Sequence, residues 1–236
     1  MLSQLSLDIK VENYASFNNY YVTEKNIQLV NHLKDIVADN KKDQYLYFWG
    51  KKGSGKTHLL CAVSDHAEKY NLNAFYVSLK DIVNCSNDIA VNIFDNVEMF
   101  NIICLDDIDV ISGNSRWQEL LFDLYNQCLD KNIKLIISSS KGIDDMNISL
   151  SDLKSRLHWG VRFHLSELDD NEKIKALKLH AKNRAMDLSD EVANYIIKRC
   201  ARNMSNLCEL LDKLDKASWQ KQRKLTVPFI KNILKF

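Results

Sequence analysis

Gly50-Lys51-Lys52-Gly53-Ser54-Gly55-Lys56-Thr57 carries glycine, lysine and a hydroxyl at every fixed position of the pattern G-x-x-x-x-G-K-[ST]. The chemistry of that spacing is phosphate binding. Glycines let successive backbone N–H groups curl toward an anion, and a helix starting near Lys56 adds the favourable end of its dipole. Gly50, Gly53, Ser54 and Gly55 would form the cradle, Lys56 would reach the β- and γ-phosphates, and Thr57 would place its hydroxyl on Mg²⁺. Such a site needs an acid at the end of a neighbouring apolar strand, and Ile102-Ile103-Cys104-Leu105-Asp106-Asp107 supplies it. Asp106 would hold Mg²⁺ directly or through water, and Asp107 would sit where a water can be polarised. Asp109 reads as a solvated or capping residue. A further apolar run, Ile133–Ile137, leads into Ser138-Ser139-Ser140. In P-loop proteins with a strand between the two phosphate motifs, a polar residue there contacts the γ-phosphate or the attacking water. Ser138 is the candidate, with an ordinary turn role equally open.

These residues need strands and helices to position them. Tyr45–Trp49, Ala74–Ser78, Ile102–Leu105, Ile133–Ile137 and Val161–Leu165 are short runs apolar on both faces, the pattern of a buried parallel sheet. Helical stretches fall between them, at 25–38 before the first strand and then at 56–70, 80–96 (broken) and 116–130. The alternation predicts a doubly wound α/β unit. After about residue 166 the strands stop. Asp170–Arg184, Ser189–Arg199, Asn203–Gln222 and Val227–Leu234 read as helices, and Pro228 falls in the first turn of the last, where its missing N–H costs little. The division is therefore an irregular 1–24, an α/β unit over 25–165 and a small helical unit over 166–236, hinged near 165–170.

With 236 residues and 46% hydrophobic content the chain can build a real core, so wholesale disorder is excluded. The balance of 32 basic against 31 acidic residues leaves no overall field to draw it onto nucleic acid or a membrane. The six cysteines form no C-x-x-C pair, no zinc-spaced cluster and no disulfide framework. No run approaches the ~18 apolar residues of a membrane span, and nothing at the N-terminus reads as a secretory signal. The expected setting is a reducing cytoplasm.

The order of these motifs, followed by a helical lid, resembles the AAA+ ATPases, and more closely the DnaA-related branch of that family. The expected fold is a P-loop domain with a five-stranded parallel sheet flanked by helices, then an all-helical lid. Ser151-Asp152-Leu153-Lys154-Ser155-Arg156-Leu157-His158-Trp159-Gly160 is similar to the box carrying the arginine finger of DnaA-type proteins, with Arg156 in the finger position. A finger must stand at an exposed edge to reach a neighbouring subunit's γ-phosphate, where it contributes on the order of 10³–10⁵ in rate. Arg156 is expected between a short helix and a strand, near the edge of the sheet. Gln222–Ile230 and Gln4-Leu5-Ser6-Leu7 resemble the Hda type, the regulatory inactivators of DnaA, and that likeness runs over nearly the whole chain. It implies that Gln4, Leu5, Leu7 and Ile9 dock on the polymerase III sliding clamp (β subunit), as a short extended terminus can. Asp8 and Ile9 stand where the family pattern has proline and then leucine. Tyr14, Phe17 and Tyr20 fall where DnaA-type proteins surround the adenine, and packing under the sheet is as good an account of each. In the lid, Ser205 occupies the place of the usual second-sensor arginine, with Arg202 one turn away, and Asp107 replaces the more usual Glu. Both departures argue against a fast autonomous ATPase.

The resemblance implies a regulator of replication initiation that holds ADP (or ATP) with Mg²⁺. It would bind DnaA and the clamp, meet DNA only through the clamp, and stimulate hydrolysis of DnaA-bound ATP through Arg156. A homo-oligomer is compatible with it. The rival readings are a DnaA-like protein or helicase loader acting directly on DNA, and a metabolic P-loop kinase. The basic Lys221–Lys224 run is expected to be a solvated helix end and not the start of a DNA-recognition element, and a kinase would leave the finger box and the terminal motif without a use.

Overall fold

The structure, a computed structural model, describes residues 15–38, 43–83, 93–199, 203–221 and 225–234. The expected clamp motif at 4–9, Tyr14 and Arg202 lie outside these residues.

β1 (Tyr45–Trp49), β2 (Ala74–Ser78), β3 (Ile102–Asp106), β4 (Lys134–Ser139) and β5 (Val161–His164) form one parallel sheet in the order β2-β3-β4-β1-β5. Strand parity assigns every side chain to a layer. Leu46, Phe48, Ile102, Cys104 and Ile136 face α1 (Ile27–Ala38) and α2 (Lys56–Glu68). Tyr47, Ile103, Leu105, Leu135 and Ile137 face the other layer, which holds α3 (Leu79–Ile82), α4 (Ser115–Asp130) and α5 (Ser151–Trp159). The apolar runs are continuous because both faces are covered. The same parity sends Asp106 and Ser138 to the α2 side.

The helical unit comprises α6 (Asp170–Asn183), α7 (Asp190–Arg199), α8 (Met204–Lys221) and α9 (Val227–Leu234) around a separate apolar cluster that includes Leu177, Ile196, Leu207, Leu211 and Ile230. Asp169 and Glu172 form a reciprocal capping box that starts α6 sharply after β5. No helix among the described residues is long and apolar enough to cross a membrane.

The fold class is as expected, and the differences are local. The helix foreseen over 80–96 is, where described, only the single turn of α3 followed by turns at 93–96. Asn96 sits in the left-handed region, which favours a turn over helix continuation. β3 and β4 run on through Asp106 and Ser139, because the ladder of β3 to β2 continues through Ser78↔Asp106 and that of β4 to β1 through Phe48↔Ser138 and Trp49↔Ser139. Arg156 is inside α5, not between a helix and a strand. Leu153 and Leu157, one turn apart and both buried, carry the helix past it until Gly160 turns extended.

Gln118 of α4 is fully buried and clasps the chain entering α5. Its amide Nε2 donates to the carbonyls of Ile111 (3.3 Å) and Asn147 (3.2 Å). Its Oε1 accepts from the Ser149 N–H (2.9 Å), the Ser149 hydroxyl (2.9 Å) and the Leu150 N–H (3.2 Å). Gln118→Leu keeps the bulk and strands these backbone groups, so it is expected to destabilise the chain by about 2–4 kcal/mol. A fall in the urea midpoint checks this; an unchanged midpoint contradicts it.

Candidate nucleotide site

The P-loop runs from the end of β1 into α2. Gly55 caps α2 with φ 98°, and Gly53 has φ 83°, backbone that a side chain would strain. A Cβ at Gly53 would come within 2.8 Å of Asn203 Cβ, so this glycine also lets the lid approach. Lys56 is 7% exposed, and its ammonium donates to two neutral acceptors, the carbonyls of Gly50 (2.9 Å) and Lys51 (3.3 Å). The Ser54 hydroxyl is buried with no hydrogen-bond partner. A buried cation on neutral acceptors beside an orphaned hydroxyl at a helix N-terminus is an arrangement a phosphate would complete.

Asp106, 1% exposed, lies directly behind the loop. Its carboxylate accepts from the Thr57 hydroxyl (2.6 Å), the Tyr76 hydroxyl (3.0 Å), the Asp107 N–H (3.1 Å) and the Ser138 hydroxyl. Burial and the Asp106 charge push the Tyr76 phenol pKa up, so it remains a donor. Asp107 follows in the left-handed region at φ 57° and caps the short helical turn Ile108–Ile111. Burial, then the neighbouring Asp106 charge, raise its pKa above the usual carboxylate range. Asp109 is half-buried and accepts from the Ser140 N–H (2.8 Å) and hydroxyl (2.6 Å) and from Ser139 (3.3 Å). Burial alone would raise its pKa; these bonds outweigh it and hold the group low. It caps the end of β4.

A cavity of about 530 Å³ opens over the loop, within the range of cofactor sites. Gly53, Ser54, Gly55, Lys56, Thr57 and Asp107 line it, with Lys52, Lys80, Tyr20 and Tyr21 on the α/β side and Leu168, His180, Met204, Ser205 and Cys208 on the lid side. Gly50 accepts from Lys56 at the base, and Asp106 and Ser138 stand behind the wall. Ser138 is fully buried against Asp106, and it is Ser140 that reaches the cavity from β4. Tyr20 lines the cavity while Phe17 packs into the core beside His66 and Lys34. Arg156 is not among the lining residues; it borders a separate small recess with Tyr45 and Tyr125.

Thr57 and Asp106 are hard oxygen donors of the kind Mg²⁺ takes, and among the described residues no group of three acidic, histidine or cysteine side chains could hold a metal. A bound Mg²⁺ would therefore take its remaining ligands from phosphate oxygens and water, and would supply charge neutralisation there.

Sequence reasoning passed over His58, His180 and Tyr76. His58 Nε2 donates to the Ser16 carbonyl oxygen at 3.1 Å, and the ring packs against His180 of α6 with ring centroids 5.6 Å apart. It directly follows Thr57, so its place on the first turn of α2 was readable; its lid partner was not. Tyr76 shares a strand face with Ser78, which is in register with Asp106.

Residues 11–164 match the bacterial DnaA ATPase domain. The chain belongs to the DnaA-like AAA+ family. Residues 170–234 match the Hda lid domain. A relative from Haemophilus influenzae described only as an uncharacterized protein is 41% identical over 235 residues, covering 99% of each chain. Domain III of Thermotoga maritima DnaA superposes with a TM-score of 0.78 at 20% identity, over 94% of this chain and 95% of that one. AMPPCP-bound DnaA from Aquifex aeolicus gives 0.74 at 22% identity, over 89% of this chain and 67% of that one. The RuvB branch-migration motor of T. maritima gives 0.69 at 17% identity, over 96% of this chain and 73% of that one, which marks the wider AAA+ fold.

Two outcomes follow from this DnaA-like site. Lys56→Ala is expected to weaken binding of a fluorescent adenine nucleotide by roughly 10- to 100-fold, the worth of a charged hydrogen bond to phosphate. Burial, then His58 and Arg184, lower the His180 pKa from 6.5 to about 4. The unfolded chain binds that proton first, so the stability His180 confers is complete above about pH 6.5 and is lost as pH falls toward 4. Urea midpoints measured across that window should fall, and His180→Gln should flatten part of the slope.

Proposed function

We propose that this chain regulates replication initiation as an Hda-type protein. It holds ADP or ATP with Mg²⁺ in the cavity over the P-loop and acts on ATP held by DnaA. The carrying observation is the position of Arg156. It stands on α5, whose chain continues into the edge strand β5, and it is outside the protein's own nucleotide cavity. Among the described residues no carboxylate pairs with it, whereas Lys154 and His158 on the same helix share Asp144 at 3.2 and 3.3 Å. A guanidinium without a carboxylate partner, on the helix that leads into the edge strand, supports a finger that works in trans, stabilising charge on a neighbouring subunit's γ-phosphate.

Within this reading Gln4, Leu5, Leu7 and Ile9 tether the chain to the sliding clamp, so that DNA is met indirectly and DnaA inactivation follows replication in the cytoplasm. Tethering raises the effective concentration of Arg156 near DnaA, which is how a weak terminal contact becomes useful. The match of the lid to the Hda lid domain supports this over a DNA-acting loader.

The test is hydrolysis of ATP pre-bound to DnaA, with and without this protein and DNA-loaded clamp. Clamp-dependent stimulation is expected, returning to the rate of DnaA alone with Arg156→Ala or with residues 1–9 removed. No stimulation by a nucleotide-loaded protein overturns the reading. Salt-steep binding of the protein alone to DNA would then favour the loader.

A further inference from the structure

Arg156 rests on aromatic rings. Its guanidinium carbon is 4.4 Å from the ring centroid of Trp159, one turn along α5, and 5.8 Å from that of Tyr125 on α4. Tyr125 is buried and stacks on Tyr45 of β1 at 4.1 Å with an interplanar angle of 16°, so the deeper ring is fixed by the sheet itself. Trp159 is different. It is 63% exposed, a large indole left in water on a helix whose other apolar side chains, Leu153 and Leu157, are buried. Its described partner is the guanidinium.

From this geometry we propose that Trp159 is a positioning residue for Arg156, holding the guanidinium in place, still charged, against the surface of α5 until a neighbouring AAA+ subunit presents its nucleotide. The inference rests on the finger reading of Arg156. An aromatic face suits this task better than a carboxylate. A carboxylate would neutralise the charge that must act on phosphate, and a buried pair would have to be broken at engagement. A ring attracts the cation through its quadrupole, leaves the N–H donors in the guanidinium plane free, and is weak enough at an exposed site to be shared with a partner. A long arginine free in solvent would instead lose its rotamer entropy at the moment of engagement. The division of labour along α5 fits: Lys154 and His158 are bound by Asp144, while Arg156 and Trp159 are left to each other.

The experiment has one arm without the partner and one with it. In the isolated protein, the Arg156 Nε–Hε resonance should carry an upfield ring-current shift that is lost in Trp159→Ala and largely kept in Trp159→Phe. In the DnaA-bound ATP assay, Trp159→Ala should lower the maximal stimulated rate roughly two- to fivefold. The concentration for half-maximal stimulation should be unchanged, and Trp159→Phe should restore most of the rate. Trp159 is exposed, so equal melting temperatures are expected for the variants. An unshifted resonance in the wild type overturns the inference. So does a Trp159→Ala variant with the wild-type maximal rate, including one whose half-maximal concentration alone rises, which would make Trp159 a docking contact only. A wild type that gives no stimulation overturns the finger reading and this inference together. A stimulating wild type with an indifferent Trp159→Ala overturns this inference alone.

Discussion

The buried carboxylate of Asp106 is the constraint around which the site is built. An unpaired anion in that position would be too costly to keep, and it persists because donors converge on it from α2, β2, β4 and the adjoining backbone. Each donor fixes one relation. Thr57 sets how deeply the P-loop helix approaches the sheet, Tyr76 and Ser138 set the heights of the flanking strands, and the Asp107 amide turns the chain left-handed so that the next carboxylate emerges into the cavity. Moving β3 by one residue would reverse its parity and put Leu105 where the hydroxyls converge. Strand register and phosphate chemistry are thus one requirement.

The lid is held to this rigid half by softer contacts. Lys51 of the P-loop meets Glu167, between β5 and α6, at 3.0 Å and Lys25 meets Glu172 of α6 at 3.4 Å, in both cases with the lysine more than half exposed. Such pairs contribute ~0–1 kcal/mol each. The tighter joints are steric: Asn203, which caps α8 through the Asn206 N–H at 2.8 Å, lies over Gly53, and His180 lies edge-on against His58. Both joints sit on the wall of the cavity or on its phosphate loop. The contacts that hold the lid to the α/β half therefore lie around the cavity itself.

The legible parts of the molecule were those whose physics is local in the chain. The P-loop spacing, the apolar strands and the helical stripes are patterns over fewer than about 20 residues, and the closeness of Asp106 to Thr57 is readable because a strand-end acid has a defined place beside a P-loop. What was not legible depended on distant partners. Whether Phe17 or Tyr20 faced the cavity turned on where the chain crosses α2. Ser138 was read toward the phosphate because its strand position was clear; that Asp106 would claim its hydroxyl depended on the β3–β4 register. The α5 boundary was missed because Arg156 and His158 are polar, and only the burial of Leu153 and Leu157 against α4 shows that the helix continues beneath them.

The chemical character of the lid bears on how the two halves divide the work. Among the described residues, every cation that lines the cavity, Lys52, Lys56 and Lys80, comes from the α/β half, and the lid contributes Leu168, Ala176, His180, Met204, Ser205 and Cys208. His180 is held neutral near pH 7 by its lowered pKa, and Arg184, the arginine nearest to it, is bound at 2.8 Å by Asp212. Ser205 can offer a hydroxyl but no charge. This lining offers shape and apolar surface rather than charge. It gives the helical half little electrostatic purchase on a terminal phosphate, since a neutral hydroxyl contributes about half the stabilisation of a charged donor. Arg156 lies outside this cavity, on α5 in the opposite layer of the sheet. Among the described residues, the cationic lining of the cavity is thus supplied by the α/β half alone.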